Sequence, residues 1–481
     1  MDKKVPLVIS KFLKICFLIF AVLIGLGTFN YYCEIKKQGN LMFSISIILL
    51  VSGFFALLSI CYLLAKIPDQ YNYNLYVLVG LIIFFIAICL IWIFITPVQQ
   101  VSDYNTFWQT ASDSINGKHI YQMDNDYFAR WPYQTGFLTY IMLVIKLFGT
   151  NLRVIQLLNI LFQAVILLLV YYLTLKLFNK VILSRWSVFL LSINLEWFVL
   201  NNRVTNQYIS LVFFLLSLIL IFSDKKFSWL GSGISLAIGN YLRPIGIVYF
   251  CGIVVFIVIY RLIAIPQRYR QNLFRLLSFL VTYLILTIGF NCVVQQVGLN
   301  KYGLMNRDSI WKVVTGLNYR SGGTNRLYIT KQFKKTDSRE MMQLEEKKFV
   351  KHNIHELNHQ HLWLKLFINK FNTLWSYPSN CFDYTLFRKN YSARIYQVLK
   401  LIGYSINTIE MILLFVGTVF SIREKENYDE TLLLVVTIFY VIIQLIIEVQ
   451  GRYRIEFTPV LLVTSSLGTG LVLNKVSGGT K

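Results

Sequence analysis

Apolar residues in this chain come in long unbroken runs, and polar residues are gathered in blocks between them. The runs at 75–96, 157–177 and 273–294 approach or exceed the ~20 residues that cross a bilayer as a helix. Inside lipid every backbone polar group must be satisfied within its own segment, so such runs mean helices rather than barrel strands. The pattern predicts an all-α polytopic membrane protein with about twelve transmembrane helices. They fall at 13–32, 41–65, 75–97, 134–149, 154–178, 182–200, 205–223, 227–260, 273–296, 396–420, 430–447 and 457–474. The stretch 227–260 is too long for one ordinary helix and is broken at GNYLRPIG, so it crosses either once, with an interruption, or twice. Four parts follow: two N-terminal helices (1–70), a helical core (71–296) carrying a loop at 98–133, a polar segment (297–395) and the C-terminal helices (396–481).

Composition agrees with this. The chain is 56% hydrophobic and 14% charged, where soluble domains run near 25% charged. Seven cysteines include no CxxC pair and read as small hydrophobes. The start, MDKKVPLVISKFLKICFLIFAVLIGLGTF, has the basic and apolar regions of a secretory signal. It lacks an Ala-x-Ala-like cleavage site, and further spans follow, so an uncleaved first helix is expected. The formal charge of +23 fits anionic membrane lipids or phosphate-bearing ligands as partners. With so much of the chain in lipid, nucleic acid is not an expected partner.

Charge also orients the chain. Lys3, Lys4, Lys11 and Lys14 place the N-terminus in the cytoplasm by the positive-inside rule. If 227–260 crosses once, the arginine-rich loop RLIAIPQRYRQNLFR falls inside, which favours the single broken crossing. Loop 98–133 and segment 297–395 then lie outside, SIREKENYDE inside, EVQGRYR outside and the C-terminus inside. Segment 297–395 holds 17 Lys and Arg against 7 Asp and Glu, and its length exempts it from the charge rule.

Three polar features share the outer face in this arrangement. Asp103 follows a membrane helix directly and is trailed by Tyr104, Phe107 and Trp108. A carboxylate there can take a proton from a hydroxyl while aromatics flank a sugar or lipid head. The plainer reading is a helix cap, with Ser102 or Asp103 preceding a helical stretch. In EVQGRYRIEFTP, Glu448, Arg452 and Arg454 either pair with one another or hold a phosphate. Arg243 interrupts an apolar run in GNYLRPIG and implies an anionic ligand or an acid on another helix. The histidines His352, His355, His359 and His361 match no zinc spacing and read as one side of an amphipathic helix. No phosphate-loop or GxSxG motif occurs.

These motifs, in this order, resemble the glycosyltransferase C superfamily, polytopic enzymes that use polyprenyl-phosphate-linked sugars. VSDYNTFWQTA resembles its acidic motif at the start of a large first external loop, and ARWPYQTGFLTYIMLVIKLFG its aromatic–proline approach to the next helix. LRVIQLLNILFQAVILLLVYYLTLKLF is similar to the helix that follows, GNYLRPIG to the late broken helix, and EVQGRYRIEFTPVLL to the segment before the last helix. The likeness covers about 75–474, and two additional helices precede it. Where relatives carry paired acids in the first loop, this chain has Asp103, with Asp113 further along, and SGGTNRLYIT lacks an acid found in many relatives.

The resemblance implies transfer of a sugar from undecaprenyl phosphate to an envelope glycan or lipid acceptor such as a teichoic acid. Asp103 would be the general base, and Arg243, Arg452 and Arg130 would bind the donor phosphate. Tyr104, Trp108, Trp131, Tyr133, Glu448 and Tyr453 would line the sugar and lipid pocket, and back-side attack would invert the anomeric centre. No cofactor is implied. Whether a divalent metal is needed stays open: one is possible but not supported, since a divalent ion usually wants more than one carboxylate. Lys, Asn and Ile richness points to the cell membrane of a Gram-positive bacterium. A secondary transporter, an envelope glycan polymerase or ligase, and a non-enzymatic scaffold are the competing readings.

Overall fold

The structure is a computed structural model and describes residues 4–473 apart from 226, 334–337 and 424–426. Lys3 and part of SIREKENYDE, both used above to orient the chain, lie outside the described residues. Among the described residues every regular element is helical.

Three long apolar helices open the chain: α1 (Lys4–Gln38), α2 (Asn40–Lys66) and α3 (Tyr71–Ile95). Two amphipathic helices follow, α4 (Ser102–Ile115) and α5 (Thr135–Phe148). Then come α6 (Leu152–Phe178), α7 (Val181–Ile193), α8 (Gln207–Ile221), α9 (Ser228–Leu242), α10 (Gly246–Phe256, extended by a wider turn to Ile263) and α11 (Tyr269–Gln296). The polar segment contributes α12 (Ser309–Gly316), α13 (Arg339–His359) and α14 (Trp363–Phe371). The last three are α15 (Ala393–Arg423), α16 (Thr431–Ile446) and α17 (Thr458–Val472).

Among the described residues eight helices are long and apolar enough to span a membrane, and α7 with the bent turn after it makes a ninth if the pair is one span. Shorter α8 and α17 are also apolar, and α9 lies between α8 and α11. This is an all-α polytopic membrane protein. Where helices must approach closely they use glycine. Gly417 of α15 and Gly468 of α17 face each other's helix so tightly that a Cβ on either would overlap the opposing backbone.

Hydrogen bonds between helix ends sort the chain into two faces. On one, Arg261 meets Asp429 at 2.7 Å, Asn427 donates to the Leu177 carbonyl, and Arg275 meets Asp224 at 3.4 Å. On the other, Arg153 donates to the Ile93 carbonyl, Asn206 to that of Leu242, and the Arg452 N–H to Asn380. The second face carries the cavity described below.

This sorting corrects two expectations. Helix α5 starts against Tyr241 on the site face, and α6 starts on the same face, so 134–149 does not run from one face to the other. Its 14 residues span only ~21 Å, short of the ~30 Å of a bilayer core. It packs on α4 through Phe107, Ala111, Phe137, Leu138 and Ile141, each apolar side chain stabilising the pair by roughly 1.5–3 kcal/mol. The second correction concerns 227–260, read as one broken crossing. Helix α9 runs from the Asp224 face to the site face, and α10 runs back from Glu456 to Arg261. These are two antiparallel helices. Because one run is removed and one added, the arginine-rich loop keeps the face expected for it.

The polar segment has small apolar cores of its own, one around Trp311, Phe333 and Met342, which Trp131 joins from the cavity turn, and another around Leu317, Leu357 and Leu366. Backbone bonds from Glu448 to the Lys312 carbonyl (2.9 Å) and from Val449 to the Gly323 carbonyl (3.0 Å) fasten it to the end of α16.

Candidate active site

A cavity of about 760 Å³ opens between α4, the turn at 131–134, the α9–α10 junction, α11, α12 and the strip 447–453. Part of its lining is apolar, with Ile247, Tyr283, Ile288 and Phe290, of which Ile247 and Ile288 are exposed, whereas another part carries the charged groups.

Asp103 enters from the first turn of α4. Helix α4 begins after an extended Val101, with Ser102 in the left-handed region (φ 52°), and no side chain caps it. Capping therefore does not explain Asp103. Its side chain is 45% exposed, and Oδ2 lies 3.3 Å from Nη2 of Arg452. Arg452 is held from three directions. It donates to the Tyr104 hydroxyl (2.8 Å), to Gln450 Oε1 (2.7 Å) and to Asp103, and its guanidinium lies 4.5 Å from the Tyr384 ring centre.

From Gln450 the bonding continues inward. Its amide N–H donates to Glu448 (2.5 Å), whose other oxygen accepts from the Lys312 ammonium at 2.7 Å. Burial pushes the Glu448 carboxyl up, but Lys312, Gln450 and Arg452 together outweigh it and hold the pKa below its ordinary value. Burial works against the Lys312 ammonium in turn, and Glu448 with the Tyr453 and Tyr133 oxygens holds it well above its ordinary value. One polar chain thus runs from Lys312 through Glu448, Gln450 and Arg452 to Asp103.

Arg243 arrives from the α9–α10 break. Pro244 forces the residue before it into an extended conformation, and Arg243 (φ −149°, ψ 119°) ends α9 there. It meets Glu456 at 2.5 Å and donates to Asn206 at 2.7 Å. Arg452, Arg243 and Lys312 lie 5.8, 5.9 and 6.0 Å from the centre of the Tyr453 ring. Three cations therefore surround one aromatic ring at the cavity wall, a setting that can receive a phosphate.

Most of the residues singled out in the sequence meet here: Asp103, Tyr104, Trp131, Tyr133, Arg243, Glu448, Arg452 and Tyr453 all line the cavity. Three do not. Arg130 is buried among Asp308 (2.8 Å from Nε), Glu346 (3.4 Å) and Arg339, away from the lining, and it ties the 127–130 turn to the polar segment. Trp108 packs on the α4–α5 cluster. Arg454, which was expected to pair with Glu448 or hold phosphate, instead bonds Glu196 and the carbonyls of Trp375 and Tyr377. Lys312 was missed. It is one basic residue among the 17 of its segment, and only folding places it beside Glu448. Glu456 was inside a quoted motif, but its partner Arg243 is distant in sequence. Among the described residues no three His, Cys, Asp or Glu side chains gather where a metal ion could bind.

The sequence matches no protein-family profile and no curated protein. Among solved structures, it is similar to the archaeal oligosaccharyltransferase AglB from Archaeoglobus fulgidus, solved with an inhibitory peptide and a dolichol-phosphate. The identity is 13% and the TM-score 0.46, over 84% of this chain and 50% of that one. The chain thus spans about half the length of the solved protein it matches.

Proposed function

We propose that this protein is a membrane glycosyltransferase that moves a sugar from a polyprenyl-phosphate donor to a cell-envelope acceptor at the outer face of the cell membrane. The observation that carries the proposal is one cavity wall: a half-exposed Asp103 carboxylate beside Arg452, Arg243 and Lys312 around Tyr453. The apolar wall of α10 and α11 continues from that charged end and suits a prenyl chain whose phosphate reaches the cations. The motif resemblance points to the same class of donor.

In this reading Asp103 takes the proton from an acceptor hydroxyl, and the oxygen attacks the anomeric carbon. The bond from that carbon to the phosphate oxygen breaks, and the electron pair leaves with polyprenyl phosphate. Arg452, Arg243 and Lys312 stabilise the charge that develops there, with Lys312 in the role expected of Arg130. Attack from the face opposite the phosphate inverts the anomeric centre. The polar chain from Lys312 to Arg452 keeps the guanidinium oriented before substrate arrives.

The test is donor turnover by purified protein, using labelled undecaprenyl-phosphate sugars and an envelope-polymer extract. Label appearing in polymer with release of undecaprenyl phosphate supports the proposal. Label that crosses the bilayer of proteoliposomes unchanged, with no transfer, would instead establish a transporter. Consumption only of lipid-pyrophosphate oligosaccharides would establish a polymerase or ligase.

A further inference from the structure

The cavity contains buried polar groups that nothing in the protein satisfies. The Trp131 indole N–H and the Gln134 side-chain oxygen are both shielded and unpartnered, and both come from the single turn at 131–134. Gln444, on the last helical turns of α16 and 6% exposed, lines the cavity with its side-chain oxygen equally unpartnered. Neither glutamine amide makes a side-chain hydrogen bond to another described residue. A buried amide or indole N–H without a partner is costly, so three such groups lining one cavity mark where a ligand supplies the missing bonds.

The charges show what kind of ligand. Of the acids in the described lining, Glu448 is buried and paired with Lys312, which leaves Asp103, half-exposed and assigned to the proton transfer. No spare carboxylate is left for a cationic amino sugar. The lining cations all lie around Tyr453, where the phosphate is placed, so none is left over for a uronate. The unsatisfied groups are neutral, the Trp131 N–H a donor and the two glutamine oxygens acceptors, and together they match hydroxyls or an N-acyl group.

We infer that Trp131, Gln134 and Gln444 read the transferred sugar, and that this sugar is uncharged: a neutral hexose or an N-acylated hexosamine. The inference rests on the proposed transferase reading. It separates donors by the chemistry of the sugar where that reading speaks only of the lipid phosphate.

The experiment compares undecaprenyl-phosphate carrying glucose, N-acetylglucosamine, glucuronate or 4-amino-arabinose with wild type, Trp131→Phe, Gln134→Leu and Gln444→Leu. Wild type is expected to use one or both neutral donors and neither charged one. Each variant is expected to raise KM for the accepted donor on the order of ten-fold, the size of one or two neutral hydrogen bonds. Binding of bare undecaprenyl phosphate, read by its inhibition constant, should stay unchanged. Thermal stability gives an independent reading. Gln444→Leu removes an unsatisfied buried amide, so its melting temperature should rise while donor use falls. Use of a charged donor by wild type overturns the inference and leaves the transferase reading intact, as do variants with unchanged KM. Transfer from no donor at all overturns the transferase reading itself.

Discussion

Replacing Lys312 by methionine isolates the interaction that links the polar segment to the site. The side chain keeps its length and apolar stem, but Glu448, 2% exposed, loses the ammonium 2.7 Å away. Breaking a buried pair from one side typically costs 3–5 kcal/mol. Lys312 is itself one-third exposed, and Glu448 keeps the Gln450 amide, so about 2–3 kcal/mol is expected here. The pH dependence follows from the sign. In wild type the folded pKa of Glu448 lies below its ordinary value, so its contribution is present above the unfolded pKa and is lost as pH falls through the folded one. In the variant burial dominates and the folded pKa rises above the unfolded one. The variant's deficit should therefore be smallest at the acid end of the range and widen towards pH 8. The assay is thermal unfolding in detergent across that range for wild type, Lys312→Met, Glu448→Gln and the double variant. Adding Glu448→Gln to Lys312→Met should recover most of the lost stability, since no charge is then stranded. A Lys312→Met deficit that does not change with pH, or that Glu448→Gln fails to relieve, would refute the pairing as the source of stability.

Three further outcomes follow from the geometry. Arg452→Lys keeps the charge but loses the fork that holds Tyr104, Gln450 and Asp103 together, so kcat/KM should fall about 10–100-fold with little change in melting temperature. Arg130→Met should do the reverse. It leaves Asp308 and Glu346 with Arg339 as their shared cation and should lower thermal stability by about 2 kcal/mol, less than a fully broken buried pair, while material that remains folded at low temperature keeps near-normal KM. Gly136→Ala forces a Cβ into the Tyr241 carbonyl and should abolish recovery of folded protein in fluorescence-detected size exclusion.

Helix positions could be read from the sequence because lipid demands long apolar runs, and α1, α2, α3 and α6 lie where those runs predict. The failure at 134–149 has a physical cause. Helix α5 is apolar on its packed side (Phe137, Leu138, Ile141) and also exposes Leu143, Leu147 and Phe148, so its sequence reads as one continuous apolar run. At 227–260 the break at Arg243–Pro244 was visible, yet counting faces favoured one crossing. That count already contained α5 as a crossing, and the two misreadings cancelled. Within the site, Asp103, Arg243 and Arg452 stood out because charge at membrane depth is rare. Arg130 entered only through the resemblance, and its partners Asp308 and Glu346 lie 178 and 216 residues away, beyond any local pattern. Lys312 is the converse case, a catalytic candidate hidden in a basic segment until the fold sets it beside Glu448.

The central claim is that Asp103 is the base of a sugar transfer, and Asp103→Asn tests it most directly. The side chain is isosteric and half-exposed, so the fold should be retained, and general-base catalysis is worth roughly 10²–10⁴-fold. Single-turnover transfer from the accepted undecaprenyl-phosphate sugar should therefore slow by at least about a hundred-fold, with donor affinity and melting temperature close to wild type. Transfer at the wild-type rate by a folded Asp103→Asn protein would contradict the account.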